Sequence, residues 1–335
     1  VDVVAATAAT IETITIGLAV AVQGGDRSTG QTDPPEAPAE PGEETPGGVP
    51  ADDTTGGGED SSTFSLTGAG SISINVVRGD TLASIVASSV DSSDLVTVRA
   101  TDATTIHAIA GALSLTIGGD GGAAVGVSIA VNDVRHATRA VVEDAPITAA
   151  GVVVDADSSA EIIVLALAGS GNVETGSGSD LRVTGAGAVA VNLVSTIVEA
   201  VILGASPVIA ATGDIDVLAA DATAIIADAG AVAIQLSGGS GRSVTVGAAV
   251  GANDVTTEVT SAIDVVPATA VTASGKLTVA TETATNIMTL SLGVAGAVTA
   301  GSGGGASFAG AGSGSGNSIH TKSAAALSGA VVQAG

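Results

Sequence analysis

Cysteine, tryptophan and tyrosine are absent from the 335 residues, and the only aromatic side chains are Phe64 and Phe308. Without cysteine there is no disulfide framework and no thiolate metal site. Without Trp or Tyr there is no platform on which a polysaccharide-cleaving enzyme could stack sugars. Basic residues are also scarce, nine Lys and Arg against 34 Asp and Glu, for a net charge of −25. That sign repels nucleic acid and anionic membrane surfaces and attracts cations. Long apolar runs are missing too: Ala222 to Leu236 is broken by Asp228 and Gly230. No run reaches the ~18 apolar residues of a membrane helix, so neither nucleic-acid binding nor membrane insertion is expected. What remains apolar is Ala, Val, Ile and Leu, which can build only a thin core.

What the chain does contain is repetition. A nine-residue stretch opening on Val and closing on Ile occurs five times, from Val3 to Ile11, Val98 to Ile106, Val154 to Ile162, Val217 to Ile225 and Val279 to Ile287. Small and polar residues fill each interval. Between copies, a small or apolar run ends in Asn, at Asn75, Asn132, Asn192, Asn253 and Asn317. The alternation of two markers identifies a repeat of about 60 residues. Pro146, Pro207 and Pro267 follow three of these Asn residues at nearly constant spacing, and Gly-rich breaks precede each Asn from the second onward.

Residues 14–22 alternate strictly, with Ile14, Ile16, Leu18, Val20 and Val22 on one face, which is the period of a strand. Residues 23–63 break the pattern. They hold ten acids against Arg27, six of the nine prolines and almost no large apolar side chain. Such a segment cannot offset its ordering entropy by burial and reads as an acidic, flexible insertion. The organisation expected is therefore a first strand region at 1–22, the insertion at 23–63, and the remaining repeats over 64–335. The distance from Val3 to Asn75 fits the others once some 35 to 40 residues are removed.

The fold class expected is all-β: a β-solenoid, or β-helix, of five ~60-residue repeats with two or more coils each. At about 4.8 Å per strand, that gives a rod on the order of 50 to 70 Å. The alternative is an array of antiparallel hairpins or sandwiches. The five Asn residues and the three prolines are expected at structural corners, the Asn either in left-handed geometry or as a stacked side-chain ladder. Val1 is not a start residue, so the chain is expected to be a processed product or a segment of something longer. Its tail and head read in sequence like an internal junction, so copies are expected to follow one another head to tail, either covalently in a giant polypeptide or as subunits of a filament.

No catalytic residue is expected. His107, His136 and His320 occupy different places in the repeat, lack metal spacing and read as exposed strand or corner residues. Acid pairs such as Glu143 and Asp144, Asp155 and Asp157, and Asp214 and Asp216 lack sugar-stacking aromatics beside them. No cofactor is expected. The one metal question is Ca²⁺ at Gly-rich turns, with Asp120 and Asp180 as candidate ligands.

The runs Gly187-Ala188-Val189-Ala190-Val191-Asn192 and Gly213-Asp214-Ile215-Asp216-Val217, continued by Ala219 through Ile225, resemble repeats of giant bacterial filamentous adhesins of the leukotoxin type. The resemblance implies a secreted, surface-attached β-helical rod without a catalytic residue. The function expected is the shaft of an extracellular or cell-surface fibre, its main partner being further copies of itself. The alternative is a binding module that captures cations, or a host or matrix partner, through the acidic loop or a flat sheet face.

Overall fold

The computed structural model describes residues 1–22, 64–118, 121–174, 181–206, 208–210, 212–238, 241–300 and 305–335. The chain is all-β, with parallel strands in two stacked sheets. Sheet A holds β1 (Asp2–Val22), β4 (Leu95–Ile117), β7 (Gly151–Glu174), β10 (Ile215–Ser237) and β12 (Leu277–Thr299), side by side in that order. Sheet B holds β2 (Phe64–Val86), β5 (Gly121–Glu143), β8 (Leu181–Gly204), β11 (Arg242–Ala273) and β13 (Ala306–Ala334). Three short strands, β3 (Val90–Asp91), β6 (Ile147–Ala149) and β9 (Val208–Ala210), extend sheet B beside the end of β11. Every pairing between described strands is parallel, which overturns the antiparallel alternative.

The Val…Ile stretch is the first half of every sheet A strand. The register stacks Val3, Val98, Val154, Val217 and Val279 in one row, and Ile11, Ile106, Ile162, Ile225 and Ile287 in another. Each interval between Asn residues thus carries one long strand of each sheet, not two or more coils. A 23-residue strand such as β4 spans ~75 Å, whereas five strands side by side span only ~24 Å. The chain is therefore a broad, short stack rather than a 50–70 Å rod.

The sheets face each other with their strands running in opposite directions, as contacts from Thr7 to Thr81 and from Thr13 to Asn75 show. The interior changes character along the strands. At one end the short strands add Ile147 and Val208 to a Val- and Ile-rich core with Val96, Val152 and Ile202. Farther along lies a second core of Ile106, Ile162, Ile225, Val134 and many alanines. Beyond it the sheets approach so closely that only glycine fits at some inward positions. A Cβ on Gly17 would lie 2.2 Å from the Gly70 carbonyl oxygen, and one on Gly126 2.2 Å from that of Gly169. The scarcity of large side chains is what allows this approach.

After β2, β5 and β8 the chain turns through left-handed residues: Ala87 (φ 47°), Asp144 (φ 46°) and Gly204 (φ 101°). They occupy equivalent places, since the Ala87 amide donates to Glu143 and the Asp144 amide to Leu203. Pro146 lies in this turn, two residues past Asp144. Pro267 lies inside β11, where the register shifts between Asp264 and Thr269, next to left-handed Ala268 (φ 75°). Pro207 lies outside the described residues.

The close approach makes a test. Gly126→Ala forces a methyl into a backbone carbonyl and is expected to cost about 1–3 kcal/mol. Gly187→Ala, where a Cβ meets nothing within 4 Å, is expected to be neutral or slightly stabilising. Urea midpoints at unchanged m-value check the pair.

Candidate functional site: polar ladders between the sheets

Two rows of polar side chains lie between the sheets among the apolar core residues, and both arise because parallel in-register pairing puts equivalent residues in contact. The first is the asparagine row. Asn75, Asn132, Asn192 and Asn253 are all at most 5% exposed. The side-chain amide of Asn75 donates to Asn132 Oδ1 at 2.7 Å, Asn132 to Asn192 at 2.6 Å, Asn192 to Asn253 at 2.6 Å, and Asn253 to Asn317 at 2.7 Å. Thr13 donates to Asn75 Oδ1 at one end, and Thr289 to Asn317 Oδ1 at the other. The Asn residues are therefore mid-strand and not corners; of the two geometries expected for them, the stacked ladder is the one present. A strand interior satisfies the backbone through the sheet, so only the side-chain amides need partners, and each finds the next.

The second row crosses the middle of the Val…Ile stretch. Thr7, Asp102, Ser158, Asp221 and Thr283 are register partners on sheet A. Gly79, His136, Thr196, Thr257 and Thr321 form a matching row on sheet B. His136 Nδ1 and Asp102 Oδ1 are 2.8 Å apart, with both side chains 2% exposed. Thr104 donates to Asp102 at 3.4 Å. Asp221 accepts from Thr223 at 3.1 Å. Burial pushes the Asp221 carboxyl up to about 6, against the opposing pull of the Thr223 hydroxyl and His136. His136 is thus buried and paired, contrary to its expected exposure; His107 and His320 are exposed. Its burial was hidden because only one of the five equivalent positions is His.

Nearer the Gly-rich turns, Arg182 pairs with Glu174, both buried, and Ser237 donates to Glu174 at 3.0 Å. Thr184 donates to Gln235 at 2.6 Å. On the outer faces, Arg99 pairs with Asp155 at 2.9 Å and Arg139 with Glu199 at 2.7 Å. Burial raises the Asp155 carboxyl, and Arg99 counters it. Of the acid pairs, Asp155 and Asp157 share the outward face of β7, with Asp155 held by Arg99, whereas Asp144 turns the chain and accepts from the Ala205 amide, and Asp214 accepts from the Lys276 amide at 2.7 Å. The candidate Ca²⁺ ligands Asp120 and Asp180, and the acidic segment 23–63, lie outside the described residues. Among the described residues no group of three His, Asp or Glu side chains is placed to hold a metal ion, and no helix is long and apolar enough to cross a membrane.

The sequence matches no protein-family model, and neither curated proteins nor solved structures yield a match. The resemblance to filamentous adhesin repeats rests on the residue pattern alone.

Both rows are testable. Asn192→Leu leaves Asn132 without an acceptor and Asn253 without a donor, and is expected to cost about 2–5 kcal/mol in chemical denaturation. For Asp221, the folded carboxyl holds its proton more tightly than the unfolded one at 3.8. Stability is therefore highest below pH ~4 and falls as pH rises to ~6, by up to ~3 kcal/mol from this group. Asp221→Asn is expected to flatten that fall and raise stability at neutral pH, read from denaturation midpoints across pH 4 to 8.

Proposed function

We propose that the chain is a structural shaft: a five-coil β-solenoid, one coil per repeat, continued along its stacking axis by further coils of the same kind, outside the cell or on its surface. The observation that carries this reading is the pair of open ends. Among the described residues, β1 pairs only β4 and β2 only β5 at one end, while β12 pairs only β10 and β13 only β11 at the other. These strands run 21 to 29 residues, far longer than the short, bulged or charged edges by which sheets avoid association. The core residues beneath them, Ile11, Val279 and Ile287, are only partly buried. The asparagine ladder points the same way: among the described residues the Asn317 amide donates to nothing, and Asn75 Oδ1 is the matching acceptor at the opposite end. Stacking one copy on the next continues both sheets, the Ile row and the amide chain without a change of geometry.

A catalytic reading finds no support in the buried His–Asp couple found inside the stack among the described residues. The Asp102–His136 pair is sealed between the sheets, and Thr104 approaches the same His136 nitrogen as Asp102 rather than the opposite one. The resemblance to adhesin shafts, the acidic charge and the lack of cysteine accord with a fibre outside the cell.

Electron microscopy of the purified protein tests the proposal. Filaments with a ~4.8 Å repeat along their axis are expected. Ser315→Lys, exposed at an inward-facing position of the end strand β13 in register with Gly251, places a charge where the next copy would stack and is expected to leave short particles that do not extend into filaments. Wild-type protein that remains a single-chain particle at high concentration overturns the reading.

A further inference from the structure

We propose that the second half of sheet A's outer face is a lateral docking surface for a second copy of this chain, joined face to face. The inference does not rest on head-to-tail stacking; it stands on a separate surface.

Charge is segregated along the outward face of sheet A. The first halves of the strands carry Glu12, Arg99, Asp155, Asp157, Asp216 and Glu282. The second halves carry one charged residue, Asp228, in their first row. The rest is aliphatic or glycine, with Ile16 73%, Leu113 50%, Leu167 46% and Leu292 55% exposed. A protein of net charge −25 keeps all but one of its acids off this half, so a copy approaching there meets little like-charge repulsion beyond Asp228 at the edge of the patch. Isolated exposed leucines are ordinary, but a contiguous apolar patch of this kind is the mark of an interaction surface.

The relief of the patch suits a copy of itself. Leucine knobs stand beside glycine pits on the neighbouring strand: Leu113 leans over Gly169 and Leu167 over Gly230, each with a methyl 2.9 Å from where a glycine Cβ would sit. Between them runs an open apolar groove of about 500 Å³ lined by Ile16, Gly111, Leu113, Gly169, Val232 and Leu292. Knobs and pits on one surface are what an isologous, two-fold contact needs. The dimensions agree. Five strands at about 4.8 Å by nine residues at about 3.3 Å give ~700 Å² per copy, close to the ~800 Å² per partner of a stable interface.

Other occupants fit less well. The 23–63 segment has Val49 as its single large aliphatic residue and cannot fill the groove. Lipid is disfavoured because the chain has no Trp or Tyr to sit at an interface and few basic residues to meet anionic headgroups. Open sheet edges such as β1 and β12 are also excluded from hydrocarbon.

The absence of cysteine makes the test direct, since one introduced thiol is the only thiol. Leu167 lies on the central strand of the patch, so a two-fold contact brings it near its own copy. In a Ser315→Lys background, which removes stacking if stacking occurs, Leu167→Cys is expected to give oxidised dimers on a non-reducing gel. Asp157→Cys, on the polar half of the same face, is expected to stay monomeric. Far-UV circular dichroism checks that both fold, and sedimentation supplies a second readout. The Ser315→Lys protein with Leu113→Glu and Leu292→Glu is expected to halve in mass relative to Ser315→Lys alone. Equal cross-linking at positions 167 and 157, or a Ser315→Lys protein that sediments as a monomer throughout, overturns the proposal. So does flotation of that monomer with phosphatidylcholine vesicles, which would assign the patch to lipid. Failure of head-to-tail stacking alone would show as missing filaments in the wild type with position-167 dimers intact.

Discussion

In-register parallel pairing is the constraint from which the rest of the structure follows. When each residue lies beside its counterpart one repeat away, whatever occupies a position is multiplied into a row. Five isoleucines become an apolar spine, and five asparagines become a chain of amides. The same rule makes errors expensive. A side chain that does not suit its own copies, a charge above all, would be repeated along the axis, which is why charges inside occur singly and in pairs, as with Asp102 and His136 or Glu174 and Arg182.

The second determinant is side-chain size. Two sheets packed through Leu or Phe usually stand about 10 Å apart, whereas here glycine at positions 17 and 126 lets the sheets come closer than a Cβ would permit. That close packing explains why a chain with two phenylalanines and no other aromatic residue can still be dense inside. It also displaces the large aliphatic residues. In the close-packed half they cannot point inward, so Ile14, Ile16, Leu18 and their register partners point outward.

Much of the fold was legible because it is written as periodicity. The nine-residue stretch and the recurrent Asn marked the strands of sheet A and sheet B, and period-2 patterning in residues 14–22 marked which side chains share a face. The faces themselves were harder to assign. Ile14 through Val22 looks like a core face, yet Thr13, Thr15 and Gly17 are the residues turned inward, because the inter-sheet gap selects for size before hydrophobicity. The number of coils per repeat was misjudged for a related reason: 23-residue strands are far longer than the usual five or six, and the Asn inside them reads as a corner. The corners were legible only in part: Pro146 lies in one of these turns, but left-handed geometry falls on Ala87 and Asp144 as well as Gly204, so no single residue type marks them. His136 carried no repeat signal, and at the place of Asp221 only Asp102 repeats the carboxyl, with Thr7, Ser158 and Thr283 in the other three copies.

The amide chain through the stack has a direction. Every link runs from Asn75 toward Asn317, donor to acceptor, in the sense in which the repeats follow one another along the stack. One end therefore presents an acceptor already engaged by Thr13, and the other an amide with spare donors. An assembly built on such a core is an arrow rather than a bar. Its two tips would recruit the next unit at different rates, and whatever anchors one tip would fix which chemistry is carried outward by the other.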